Sequence, residues 1–179
     1  VIPQLLHQHS DIDVLICNLG NSNFEKNNND FEHALKYNFF STTNLIDSSK
    51  KIFKKNITKI LCISSICGEE YIEGAPIGYS IAKSALNFYI KLISNELAKK
   101  NITINGIVPG NIIFKGSTWD LKIKNNPVKT RIYIKKNVPI NSFGSPNDIF
   151  EVCKMISENK SKFITGSLFK VDGGQTKGL

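Results

Sequence analysis

Apolar residues along this chain fall into two kinds of run, and the kinds alternate. "DVLICNLG" (Asp13 to Gly20), "TKILCISS" (Thr58 to Ser65) and "ITINGIVPG" (Ile102 to Gly110) are short, nearly uninterrupted, and close on Ser, Asn or Gly. Runs of this kind read as strands buried on both faces of a parallel sheet. Between them, the stretches from Asp30 to about Lys55 and from Ala75 to Lys100 carry apolar residues at helical spacing. A further helix is predicted from Pro146 to about Glu158, with Asp148 in its first turn, and "GSLFKVDGG" supplies a last strand. Strand and helix in repetition predict right-handed crossovers and an α/β fold, a Rossmann-like doubly wound parallel sheet with helices on both faces. The segment from Lys115 to Asn137 breaks the alternation. It is too long and too polar to be a simple connection, and it reads as an insertion into a single domain spanning 1–179.

Sheets of this type bind ligands beyond the carboxyl ends of their strands. The residues predicted there are Asn18-Leu19-Gly20, Ser64-Ser65 and Pro109-Gly110-Asn111. At the head of the second long helix, "GYSIAKSALNFY" sets Tyr79 four residues before Lys83. Positions i and i+4 lie one turn apart on one helix face, so a phenol and an ammonium could act on the same small molecule.

Composition narrows the classes. The 179 residues, 41% hydrophobic and 21% charged, suffice for one core. No run approaches the roughly 18 apolar residues of a membrane helix, and the start lacks the basic flank and apolar stretch of a signal peptide, so a cytoplasmic protein with no membrane partner is expected. Cys17, Cys62, Cys67 and Cys153 show no C-x-x-C spacing, and the three histidines have no zinc-ligand pattern. Reduced, structural thiols and no metal follow. The net charge of +8 comes almost wholly from lysine, Arg131 being the sole arginine, and no nucleic-acid motif is present. A nucleic-acid partner is therefore not expected.

Five segments, in order, resemble the compact short-chain dehydrogenase/reductases: "DVLICNLG", "ILCISSICG", "YSIAKSAL", "ITINGIVPGNI" and "SFGSPNDI … ITGSLFKVDGG". The resemblance implies hydride transfer between NAD or NADP and a carbonyl or alcohol substrate. Negative charge developing on the carbonyl oxygen needs a proton donor and a polarising dipole. By resemblance Tyr79 is the donor, Lys83 the cation that favours its phenolate and holds the nicotinamide ribose, and Ser65 the polarising hydroxyl, with Ser64 the fallback. Asn38 falls where the family places a helix asparagine that completes a proton relay. Asn18 and Gly20 resemble residues on the adenosine side of the cofactor, and Pro109, Gly110 and Ile112 the turn that meets the nicotinamide amide. Cys17 replaces an asparagine of the family pattern, and Phe114 stands where many members carry a threonine.

The chain contains no G-x-x-x-G-x-G and no G-x-G-x-x-G. The family opens with such a turn at a helix N-terminus, so roughly 70 residues, about three strand-helix units of a doubly wound fold, read as preceding Val1. On that reading the chain is N-terminally truncated, the C-terminal two-thirds of an enzyme, and by itself binds cofactor weakly and lacks activity. A catalytically inert fragment or subunit-contact module is the alternative of another class.

The segment 115–137 occupies the family's substrate-loop position. Lys115, Lys122, Lys124, Lys129, Arg131, Lys135 and Lys136 face Asp120 alone, which suits an anionic substrate, and Trp119 is expected to stack on it. A sugar phosphate or nucleotide sugar is the favoured substrate, and 3-oxoacyl groups on acyl carrier protein the alternative. Excess apolar residues on the two long helices, among them Phe39, Phe40, Leu86, Phe88 and Leu92, predict a homodimer or homotetramer.

Overall fold

The computed structural model describes residues 12–22, 31–50, 53 and 58–178. Four parallel strands, β1 (Val14–Cys17), β2 (Thr58–Ile63), β3 (Ile102–Pro109) and β4 (Leu168–Val171), lie side by side in sequence order. One row of the register runs Cys17, Cys62, Gly106, Leu168 straight across the sheet. The carboxyl ends of β1, β2 and β3 therefore finish close together, and all the candidate site residues follow from that.

Six α-helices complete the described fold: α1 (Phe31–Leu35), α2 (Ser41–Ser49), α3 (Ile77–Ala98), α4 (Thr118–Asn125), α5 (Pro127–Asn137) and α6 (Pro146–Glu158). Strand alternation sorts the core into two layers. Ile60, Cys62, Ile102 and Ile104 pack with Ile46 of α2 and Leu86, Ile90 and Leu97 of α3. Leu61 and Ile107 point the other way and pack with Cys153 and Ile156 of α6. Helices thus cover both faces, as the pattern predicts. The first two crossovers use one face and the last uses the other, although every step across the sheet goes in the same direction. Their hands are therefore opposite, where right-handed crossovers throughout are expected.

Local chemistry sets the helix limits. Asn101 adopts φ +58° just beyond α3, the left-handed conformation that ends a helix and that Asn tolerates. Ile102 then enters β3 directly. In α6, Pro146 takes the first turn, and Ser145 N–H donates to Asp148 Oδ2 at 2.6 Å, closing the start. The first long helix departs from expectation in two ways. A π-helical turn, Lys36–Phe40, separates α1 from α2, and Phe53, expected to be helical, forms a parallel bridge with Ile12. Residues 51, 52, 54 and 55 lie outside the described part.

The polar insertion is two short helices. Ser117 caps α4 by accepting from Asp120 N–H, and Asn126 caps α5 by accepting from Lys129 N–H ahead of Pro127. Of the apolar residues assigned to an outward face, Leu86 is fully buried and Phe39 packs against the core. Phe40, Phe88 and Leu92 remain outside, at 48%, 65% and 60% exposed.

Candidate active site

Lys83 is a buried polar residue of the cluster. It is 3% exposed, and its Nζ donates to the Ile63 carbonyl at 2.8 Å, at the end of β2. Burial pushes its pKa down to about 8, opposed in part by the thiols of Cys62 and Cys67. Tyr79, one turn earlier on α3, places its ring so that its centroid is 5.8 Å from Lys83 Nζ. The pairing read from the YxxxK spacing is real in space.

Its electrostatics differ from expectation. Burial pushes the Tyr79 phenol up to about 12, and the neighbouring Ser65 side chain draws it back in part. The pair therefore consists of a protonated phenol and an ammonium that loses its charge only above about pH 8.

The two serines separate cleanly. Successive residues at a strand end face opposite sides. Ser64 Oγ donates to Asn87 Oδ1 on α3, away from Tyr79. Ser65 lies on the Tyr79 side, where it lowers the pKa of the phenol, and its oxygen accepts from Cys67 N–H at 3.2 Å. The N–H occupies one acceptor position on Ser65 and leaves the O–H available to donate outward.

Asn38 lies in the π-helical turn and is fully buried. Such turns recur at functional sites because they re-aim a side chain. Here the amide donates to the carbonyls of Ala34 (3.1 Å) and Asn21 (2.9 Å) and accepts from Asn21 N–H (3.0 Å). Both donors are taken by backbone. Asn38 pins the loop after β1. Gly20 belongs to that loop, and a Cβ built on it would lie 2.9 Å from Asn38 Oδ1 and 3.3 Å from Lys83 Nζ. Gly20, Asn38 and Lys83 are thus in contact.

The remaining residues sit apart from this cluster. Asn18 is exposed at the end of β1, beside Leu19, leaving an open shelf next to Gly20. Pro109 pairs with Val171, Gly110 N–H donates to Val171 O at 2.9 Å, and Ile112 bridges Gly144. Gly110 has no room for a side chain against Asp172, whose Cα would be 2.7 Å away. Both glycines are thus needed for close packing, Gly20 against Asn38 and Lys83 and Gly110 against Asp172.

Gly68 and Cys67 were given no role from the sequence, and Asn111 only a place at a strand end. Gly68 admits the backbone of α3, since a Cβ there would lie 2.6 Å from the Lys83 carbonyl carbon. Cys67 lies beside Ser65, its thiol pushed up by burial. Asn111 Nδ2 donates to Gln175 Oε1 at 2.6 Å, fastening the C-terminal segment to the end of β3. The small residue in "ICG" was a visible signal for the first.

Known proteins bear on this geometry. The sequence profile of the family described as Enoyl-(Acyl carrier protein) reductase matches residues 1–176. A 3-oxoacyl-(acyl-carrier-protein) reductase of Rickettsia prowazekii is 31% identical over 180 residues, covering 95% of this chain and 70% of the relative. The solved structure of ElxO with NADP bound superposes with TM-score 0.83 at 25% identity, over 97% of this chain and 71% of that one. A 7α-hydroxysteroid dehydrogenase solved with NADH and 7-oxo glycochenodeoxycholic acid shares the fold at TM-score 0.82 and 24% identity, over 99% and 71% of the two chains.

Two outcomes are expected. Gly68→Ala would drive a methyl into the backbone of α3 and cost about 1–3 kcal/mol of stability, the range for overpacking. Urea unfolding checks this, and an undiminished midpoint would mean that α3 does not pack backbone to backbone there. Lys83 has a folded pKa of about 8, below the ordinary 10.5. The unfolded chain therefore binds more protons between those values, and stability rises with pH across that window. Relative to Lys83→Met, the parent should gain stability from pH 8 to 10, and a constant difference would contradict the burial of a charged Lys83.

Proposed function

The chain belongs to the short-chain dehydrogenase/reductase family of NAD(P)-dependent oxidoreductases, and on that premise we propose that Ser65, Tyr79 and Lys83 reduce a carbonyl, or oxidise the corresponding alcohol, on a small-molecule substrate. The observation that carries the reading is the half-buried Tyr79 phenol beside Ser65, with the Lys83 ammonium 5.8 Å from the centre of its ring.

A nicotinamide cofactor, when bound, supplies or accepts the hydride. In the reduction, Tyr79 carries the proton, because a phenol pushed up to about 12 stays protonated at neutral pH. As negative charge grows on the substrate oxygen, the Tyr79 O–H donates to it, and the free Ser65 O–H donates to the same oxygen. Proton loss leaves a phenolate, which the Ser65 hydroxyl and the Lys83 charge stabilise. Lys83 also faces the cofactor's ribose in this reading, with Asn18, Gly20, Pro109, Gly110 and Ile112 supplying the surrounding surface. Asn38 acts through position, holding the Gly20–Asn21 backbone against Lys83.

For the substrate, the relatives favour a 3-oxoacyl thioester over the sugar that the sequence favoured. The Rickettsia relative bears the former in its name, and nothing among the relatives supports the latter. Either NAD or NADP suits the residues present, the related structures having been solved with one or the other. A homodimer or homotetramer by isologous contacts is part of the same reading. Its support is the row of Phe88 and Leu92 on the outer face of α3, with Phe40 beside α2, each 48% exposed or more.

Tyr79→Phe removes the donor and keeps the ring. Turnover should fall by at least about 10²-fold, the lower range for general acid catalysis, with cofactor affinity little changed. Lys83→Met should weaken turnover and cofactor affinity together. Steady-state rates and cofactor titration by fluorescence decide this, and a Tyr79→Phe protein with parental turnover would sink the assignment. For assembly, sedimentation at micromolar concentration should give a dimer or larger, shifted toward monomer by Leu92→Asp. A monomer in the parent counts against the oligomer.

A further inference from the structure

A groove of about 390 Å³ lies between α3 and β4, and neither Ser65 nor Tyr79 borders it. That size is ordinary for a small-molecule site. α3 supplies Asn87, Phe88 and Lys91 to its lining, β4 supplies Leu168 and Lys170, and the turn after β2 adds Glu69 and Glu70. Phe88 is 65% exposed and Leu168 partly buried, so part of the wall is apolar.

Most charges at the border are already committed. Lys170 Nζ lies 3.2 Å from Glu69 Oε2 and donates to the Gly178 carbonyl at 3.2 Å. Glu70 Oε1 accepts from Lys177 N–H at 2.7 Å and also from Gly178 N–H. Lys91 is different. It is exposed, no carboxylate among the described residues pairs with it, and its stem passes over Gly166, where an added Cβ would lie 3.6 Å from Lys91 Cδ.

A second donor, one turn earlier on α3, is also unused. Asn87 is only 7% exposed; its Oδ1 accepts from Ser64 Oγ at 2.5 Å, and its Nδ2 has no acceptor. Because the Ser64 hydroxyl takes the oxygen, the nitrogen end of the amide is the one left over. A buried N–H group without an acceptor is costly, and buried polar groups of folded proteins are nearly always paired. Asn87 and Lys91 stand at i and i+4, on one face of the helix.

The nitrogens left over are an ammonium and an amide, both donors, so their complement is a negatively charged acceptor. Only one free cation is present, with Glu69 and Glu70 on the same border, which favours a single charge over the two of a phosphate. A carboxylate offers two oxygens, one for each donor. A flat apolar body matches the Phe88 ring and Leu168.

We propose that the groove between α3 and β4 binds a small aromatic carboxylate, its oxygens taken by Lys91 and Asn87 and its ring set against Phe88 and Leu168. This is a second site of the molecule and does not depend on how the Ser65–Tyr79 pair is read. Phe88 belongs also to the outer face assigned to assembly, whereas Leu92 does not border the groove.

The probe is 2-naphthoate, and 2-naphthamide is its neutral counterpart of nearly the same shape. Each is tested by equilibrium dialysis against the purified parent, Lys91→Gln, Asn87→Asp and Tyr79→Phe. The parent should bind 2-naphthoate saturably and about tenfold more tightly than 2-naphthamide, the scale of one hydrogen bond to a charged group. Lys91→Gln, a change at an exposed position, should remove that preference. Asn87→Asp keeps an acceptor for Ser64 but puts a carboxylate where the free N–H was, so it should abolish binding of the acid. Tyr79→Phe should bind as the parent does. No saturable binding in the parent, equal affinity for acid and amide, or an unchanged preference in Lys91→Gln overturns the proposal. Displacement of 2-naphthoate by NADH also overturns it, since the probe would then sit in the cofactor cleft.

Discussion

Burial of the Lys83 ammonium against the Ile63 carbonyl is the constraint around which the rest of the site is arranged. A charge removed from water costs several kcal/mol unless it is paired or hydrogen-bonded. One charge-assisted bond at 2.8 Å offsets part of that cost, and the four-carbon stem adds apolar contact. The remainder appears as the depressed pKa. For the bond to form, α3 must approach the turn after β2 backbone to backbone, and only a glycine at position 68 leaves that space. The loop after β1 must also pass close above Nζ, which demands Gly20, and Asn38 holds it there. Three separate segments are thus committed to the placement of one lysine.

That commitment explains the order of the two pKa values. Tyr79 and Lys83 are both removed from water, and desolvation favours the neutral form of each. It therefore raises the phenol and lowers the ammonium, to about 12 and about 8. A solvent-exposed pair with the same spacing would feel little of either effect. The shifts live in burial, supplied by the strand ends and the 66–70 turn, and not in the YxxxK pattern itself.

The same distinction decides what the sequence could reveal. Uninterrupted apolar runs identified β1 to β3 because strands buried on both faces have no polar face to conceal them. Helical spacing found α3, and Ser145-Pro146 with Asp148 found α6 to the residue. The π-helical turn at Lys36–Phe40 left no mark, since the apolar positions continue through it at nearly the helical period. Choosing Ser65 over Ser64 needed the register, because one step along a strand end reverses the face. The face chosen by the last crossover depends on where α6 docks, a tertiary fact. Asn126-Pro127, a cap followed by proline, could have divided the lysine-rich segment into two helices.

Net charge says least of all about function until the pairs are known. The segment 115–137 counts seven basic residues against one acid, yet that acid is spent on Lys124 and on the N–H of Gly116. What distinguishes Lys122 is mechanical. Its platform of Trp119, Tyr133 and Phe143 joins α4, α5 and the segment before α6. Lysines free on a helix surface sample many rotamers, and ordering one costs about 1.5–2 kcal/mol of side-chain entropy. A lysine held over a ring by a contact worth about 0.5–1 kcal/mol has met part of that cost.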